Sequence, residues 1–202
     1  MNRIAKGLCT AGLIVLPAVA TATVAPLSAP TAAEQDAGET LHYLLGLMNG
    51  RATMMAAFVA ATPRGISPLV RTAMNGFDLR ALSAMNAPLI AREVDAGTLQ
   101  TCAAFVRAPE QIALLAAVPE SDDPMAAIAT LPEAQQLMVV EVLSEPCMQQ
   151  VHAVLALAEA GAVYEAYFNQ LFCASWAALP AHLRFNLDDS TLTCPPGTPD
   201  AP

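Results

Sequence analysis

Residues 39–60, ETLHYLLGLMNGRATMMAAFVA, decide the fold class. Leu41, Leu44, Leu45, Met48, Ala52, Met55 and Val59 recur at the i, i+3, i+4, i+7 spacing that lines one face of an α-helix. Pro63 and Gly65 stop the run, proline because it lacks an amide hydrogen and glycine because it leaves the helical conformation at little cost. The spacing predicts one helix over 37–63. Before it, residues 26–36 form a polar, proline-bearing lead with no apolar face to bury, so the fold is expected to begin near Ala37.

The same periodicity returns downstream at short intervals. Ser67 before Pro68 offers an N-cap followed by proline at the first helical position, and Asn75-Gly76 closes that helix near Phe77. Asp78 caps a helix carrying Leu79 and Leu82. Pro88 breaks or kinks it before Leu89, Ile90 and Val94, and Gly97 marks its end. Thr98 opens a helix through Leu99, Cys102, Phe105 and Val106, and Pro109 restarts the chain through Ile112, Leu115 and Val118, which makes a helical hairpin. The loop over 119–124 leads to a short turn near Met125 and Ile128, then to a helix opened by Pro132 with an apolar stripe of Leu137, Val140 and Leu143. Pro146 opens a long stretch with Met148, Val151, Leu155, Val163, Tyr167, Leu171 and Phe172, bent or divided near Gly161 and ending before Pro180. Alternating Val/Ile/Thr runs that would read as strands are missing. The expectation is an all-α, compact bundle of about seven or eight short helices, a single domain over 37–185 with an irregular tail over 186–202. Phe105-x-x-x-Pro109 and Val142-x-x-x-Pro146 echo each other at an offset of 37 residues, as two helix restarts would.

Upstream, Arg3 and Lys6, an apolar run from Leu8 to Ala20 and then small residues have the layout of a signal peptide. Its expected span is 1–22, with Ala33 as a second candidate end and a flexible lead over 23–36. Pro17 interrupts this run and Thr21 and Thr23 dilute its continuation, so that the whole stretch from Leu8 to Ala25 barely reaches the ~20 apolar residues of a spanning helix; removal is expected rather than anchoring, and no stable membrane span after processing. Cleavage would leave seven Arg and no Lys against eighteen Asp and Glu, a net charge of 7 − 18 = −11. Phosphate backbones and anionic headgroups repel such a chain, which argues against nucleic acid as a partner.

Phe77-Asp78-Leu79, the Asp95-Ala96-Gly97-Thr98-Leu99 helix entry and Ala104-Phe105-Val106-Arg107-Ala108-Pro109-Glu110-Gln111 carry a family resemblance. Roughly over residues 70–118 the chain resembles a family of exported bacterial all-helical proteins with a domain of unknown function. In that family a glycine usually follows the proline. Here Glu110 stands in its place, and Cys102 is an added cysteine. The resemblance implies an exported helical domain and imports no mechanism.

Cys9 falls in the leader, so the mature chain keeps four cysteines: Cys102, Cys147, Cys173 and Cys194. An even count in an exported chain reads as two disulfides with three connectivities, and we favour Cys102 with Cys147 and Cys173 with Cys194, the latter pinning the tail to the last helix. No CxxC, HExxH, GxSxG or phosphate-cradling glycine loop occurs, and no metal or other cofactor is expected. His42, His152 and His182 are far apart, and the carboxylate pairs Asp122-Asp123 and Asp188-Asp189 lie in proline-bounded loops that suit solvated surface better than acid/base work. Met48 and Met55 share a stripe with leucines, as flexible core fillers do, which argues against a copper site. Met148, His152 and Glu159 are the candidate pocket residues. The functional expectation is binding rather than catalysis, with a Met- and Leu-lined groove for an apolar peptide or lipid-like ligand, or an apolar face for an envelope protein. An enzyme with a site assembled from distant residues, or a structural envelope component, are the alternatives.

Overall fold

The computed structural model describes residues 29–61, 68–180 and 194, the side chains of 57–61 and 68 excepted. The chain forms two units, Met1–Pro30 and Thr31–Pro202, and the helices described here belong to the second. The expected leader over 1–22, the Ser67 cap, Asp188-Asp189, His182 and the tail over 186–202 other than Cys194 lie outside the described residues.

Helix α1 (Ala32–Leu47) starts before the expected Ala37 because Thr31 and Glu34 close a capping box. The Thr31 amide donates to Glu34 Oε2 at 2.6 Å and the Glu34 amide donates to Thr31 Oγ1 at 3.2 Å, satisfying two of the orphan donors of the first turn. The single helix expected over 37–63 is two helices, α1 and α2 (Gly50–Ala61). Asn49 stands between them at φ 50°, a left-handed conformation that asparagine tolerates and that ends α1, and the Thr53 amide then donates to its carbonyl at 2.9 Å to start α2. Met48, expected on the apolar stripe, is consequently exposed.

Next come α3 (Pro68–Asn75) and α4 (Leu79–Glu93), the latter capped by Asp78, whose carboxylate accepts from the Arg80 amide at 2.8 Å. Pro88 lies inside α4 without ending it. Burial of Ala87, Leu89 and Ile90 outweighs the one backbone bond that proline removes. Helix α5 (Ala96–Val106) is capped by Asp95 rather than by the expected Thr98, and Gly97 belongs to its first turn. Asp95 accepts from both the backbone amide and the hydroxyl of Thr98. These hydrogen bonds hold its carboxyl below the usual range. Proline opens α6 (Pro109–Ala117), α7 (Pro124–Ala129) and α9 (Pro146–Val154), while Pro132 is the N-cap of α8 (Glu133–Ser144). Asp123 caps α7 by accepting from the Ala126 amide. The last long stretch divides at Leu155–Leu157, where i→i−3 bonds tighten the turn, and Gly161 sits inside α10 (Ala158–Ala178). These two divisions give ten helices among the described residues, where about seven or eight are expected from sequence; the class is all-α.

Helix α1 packs chiefly on α4 and α5. Leu41 and Leu44 meet Ile90, Leu99 and Val151 in one part of the core, while Tyr43 and Leu47 meet Cys102, Leu114, Val142 and Met148 in another. Under α3 and α10, Phe77 is stacked on Phe168 at 5.9 Å and takes Tyr167 edge-on at 5.6 Å. The Tyr167 hydroxyl accepts from the Asp78 amide at 2.8 Å and donates to the Asp78 carbonyl at 3.1 Å, tying α10 to the start of α4.

Disulfides join Cys102 of α5 to Cys147 of α9, with Cα atoms 5.8 Å apart, and Cys173 of α10 to Cys194, with Cα atoms 5.5 Å apart. Two such bonds fit an oxidising, extracytoplasmic environment. No helix among the described residues is long and apolar enough to cross a membrane.

Candidate functional site

Helix α8 is apolar on two faces, because Leu137, Met138, Val139, Val140, Val142 and Leu143 follow one another almost without interruption. Only one of those faces can meet the core. The Gln136 amide nitrogen donates to the Leu131 carbonyl at 2.7 Å, which fixes the turn from buried Leu131 into α8. At the other end Cys147 is fastened to α5 through its disulfide, and Met148 is buried beside it. Between these anchors Val139 and Val142 face inward, 1% and 0% exposed.

The stripe that periodicity assigned to the core is therefore the outer one. Leu137 is 63% exposed, Val140 60% and Leu143 36%. Leu137 and Val140 are one turn apart, so they form a continuous apolar ridge. Glu133 and Glu141 stand four residues before and after Leu137 and are both exposed, so they share the ridge's face. Ile112 of α6 and Met125 of α7, on the helices packed against α8, are exposed as well. Isolated surface hydrophobes are ordinary, whereas a run along one helix marks a surface that a partner can cover.

The candidate pocket residues Met148, His152 and Glu159 do not share one face. Met148 is buried in the core against the disulfide, while His152 and Glu159 are on the solvent side of α9 and α10. The reason is helical phase: Cys147, Met148, Val151 and Val154 make the inward face of α9, and His152 falls outside it. The methionines after the leader are mostly turned to the core. Met74 and Met148 fill the core, Met54, Met55, Met85 and Met138 pack against it, and exposed Met48 and Met125 are on separate helices.

Clefts among the described residues include two at helix ends. One, of about 470 Å³, is open between the starts of α5 and α9 and is lined by Asp95, Thr98, Glu145 and Cys147. The other, of about 230 Å³, lies beside Asn49, Arg51 and Glu120. Neither brings together a nucleophile, a base and an orienting group. Among the described residues no group of three or more His, Cys, Asp and Glu side chains is placed to hold a metal ion.

Titration is perturbed elsewhere by burial. His42 has its basicity lowered by desolvation and by Arg80, and its buried Nδ1 has no hydrogen-bond partner. Burial pushes the Tyr43 hydroxyl up to about 12, with Gln111 Oε1 accepting its proton at 2.8 Å. Burial raises Tyr164 and Tyr167 as well. Arg107 pairs with Asp36 at 2.7 Å and Glu39 at 2.6 Å, which strengthens its hold on its proton and latches α5 to α1.

Charge is distributed unevenly along the chain. Between Arg107 and Arg184 there is no lysine or arginine, while every carboxylate of α6 to α10 falls in that interval. The ridge of α8 thus lies in an acidic, cation-free part of the sequence. No protein-family model, no curated protein and no solved structure matches the chain.

Proposed function

We propose that this chain is an exported protein, periplasmic or secreted, which works by docking to an envelope protein through the outer face of α8 rather than by catalysis. One observation carries the reading: Leu137 and Val140, a turn apart, are 63% and 60% exposed on a helix whose opposite face is already buried. Covering what remains exposed of these side chains is worth about 1–2 kcal/mol each, enough for a modest interface once ordering costs are met. The basic, apolar leader pattern and the two disulfides support export. The likeness to exported helical proteins over residues 70–118 points the same way. A lipid-like ligand is less well supported, since the methionines that suggested a groove are mostly packed in or against the core.

The test compares the wild-type chain with the Leu137→Gln/Val140→Gln variant in its host, by size-exclusion of the native envelope fraction. The reading expects the wild type in a complex larger than the monomer and the variant, equally folded and abundant, running free. Co-elution of both variants at the same complex size would refute it.

A further inference from the structure

We infer that the partner seated on the α8 ridge is a cationic amphipathic helix; this rests on the α8 docking reading and names the chemistry of its occupant. The ridge pairs Leu137 and Val140 with Glu133 and Glu141 on one face, and Glu145 follows as the cap shared by α8 and α9. A helix laid along it meets a strip of aliphatic side chains about one turn long, edged by carboxylates at both ends. No arginine or lysine of α6 to α10 neutralises those carboxylates, because that interval contains none.

Charge selects among the occupants. A second copy would set Glu133 and Glu141 of one ridge against the same residues of the other, and like charges juxtaposed across an interface are costly. An anionic membrane repels the same face. A helix with leucines on one side and lysines or arginines on its flanks satisfies both parts of the surface, the apolar strip through burial and the carboxylates through steering and edge pairing. The carboxylates are exposed, so they add on-rate and a modest share of affinity, while the ridge supplies most of the hold.

The full chain with its disulfides intact is titrated against fluorescein-labelled synthetic helices sharing one leucine face and differing in flanks of lysine, glutamine or glutamate, followed by anisotropy. The lysine helix is expected to bind best, with affinity falling as salt rises. Glu133→Gln/Glu141→Gln should weaken the lysine helix about threefold to tenfold and leave the glutamine helix unchanged. Leu137→Gln/Val140→Gln should weaken both on the order of 100-fold. Equal binding of the lysine and glutamine helices, with the ridge variant still losing both, overturns the cationic partner and leaves the ridge as a docking face. Binding of the lysine helix that ignores the ridge variant overturns both readings. Concentration-dependent self-association abolished by the ridge variant, or capture by phosphatidylglycerol vesicles in preference to the lysine helix, overturns the inference in favour of a second copy or a lipid surface.

Discussion

The orientation of α8 is testable with two substitutions that periodicity alone would rank in the wrong order. Val142 is fully buried beside Met148 and the Cys102–Cys147 disulfide, whereas Val140, two residues earlier, is 60% exposed. Truncation to alanine removes two methyl groups at either position. At Val142 their transfer from the core costs about 1.6 kcal/mol at ~0.8 kcal/mol per group, and an unfilled cavity adds to that. At Val140 most of the side chain is already in water, so the loss is within about 0.5 kcal/mol. Alanine is the better helix former, which returns a few tenths of a kcal/mol at both sites and so cancels in the comparison. Val142→Ala should therefore be about 1–2 kcal/mol less stable than Val140→Ala. For a domain of this size that separates their melting temperatures by roughly 3–8 °C. Urea denaturation with the disulfides intact, followed by far-ultraviolet circular dichroism, reads the difference as a shift in midpoint at constant slope. A larger loss at Val140 than at Val142 would mean that α8 is rotated by about half a turn, and the exposed ridge would vanish with it.

Three further outcomes follow from the packing and the covalent links. Removing Cys102–Cys147 as the double alanine variant opens a loop with a sequence separation of 45, which the chain-entropy model values at about 4 kcal/mol, against about 3 kcal/mol for Cys173–Cys194 with its separation of 21; calorimetry that reversed this order would contradict it. The chain's three tyrosines all retain their protons above the ordinary value of 10 because of burial, Tyr43 to about 12, so the folded protein takes up the phenol proton more tightly than the unfolded one. That stabilisation is complete below pH 10 and is lost as pH rises towards 12, and tyrosinate absorbance should accordingly appear together with unfolding, not ahead of it. Intact mass of protein recovered from the periplasm or medium of the host should show the leader removed near Ala22 or Ala33 and thiol labelling only after reduction; retention of residues 1–33 or freely labelled thiols would count against export as a disulfide-stapled domain.

Much of the fold is legible in the residues. Proline at helix starts, at Pro109, Pro124 and Pro146, and acidic caps at Asp78 and Asp123 set boundaries by local chemistry that burial does not alter. Other boundary signals compete with stronger patterns around them. Thr31-x-x-Glu34 is a capping box in plain view, and Asn49-Gly50 is a turn signal hidden inside an otherwise regular apolar run. Pro88 misleads in the opposite sense, since tertiary burial of its neighbours sustains the helix around it. The outward face of α8 is ambiguous in sequence for a deeper reason. Residues 137–143 are apolar at nearly every position, so 3.6-residue periodicity fits the Leu137/Val140/Leu143 stripe and the Val139/Val142 stripe equally well, and only the anchors at Leu131 and Cys147 select between them. Likewise His152 and Met148 share a turn in sequence, but the phase of α9 buries one and exposes the other.

The docking face itself is most directly tested by placing a photo-crosslinking amino acid at position 140, on the ridge, and separately at position 153, an exposed alanine on α9, in the full chain expressed in its host. Irradiation should give one dominant adduct from position 140, none of that mass from position 153, and loss of the adduct when Leu137→Gln is added. Adducts of the same masses from both positions, or none from position 140, would contradict the account.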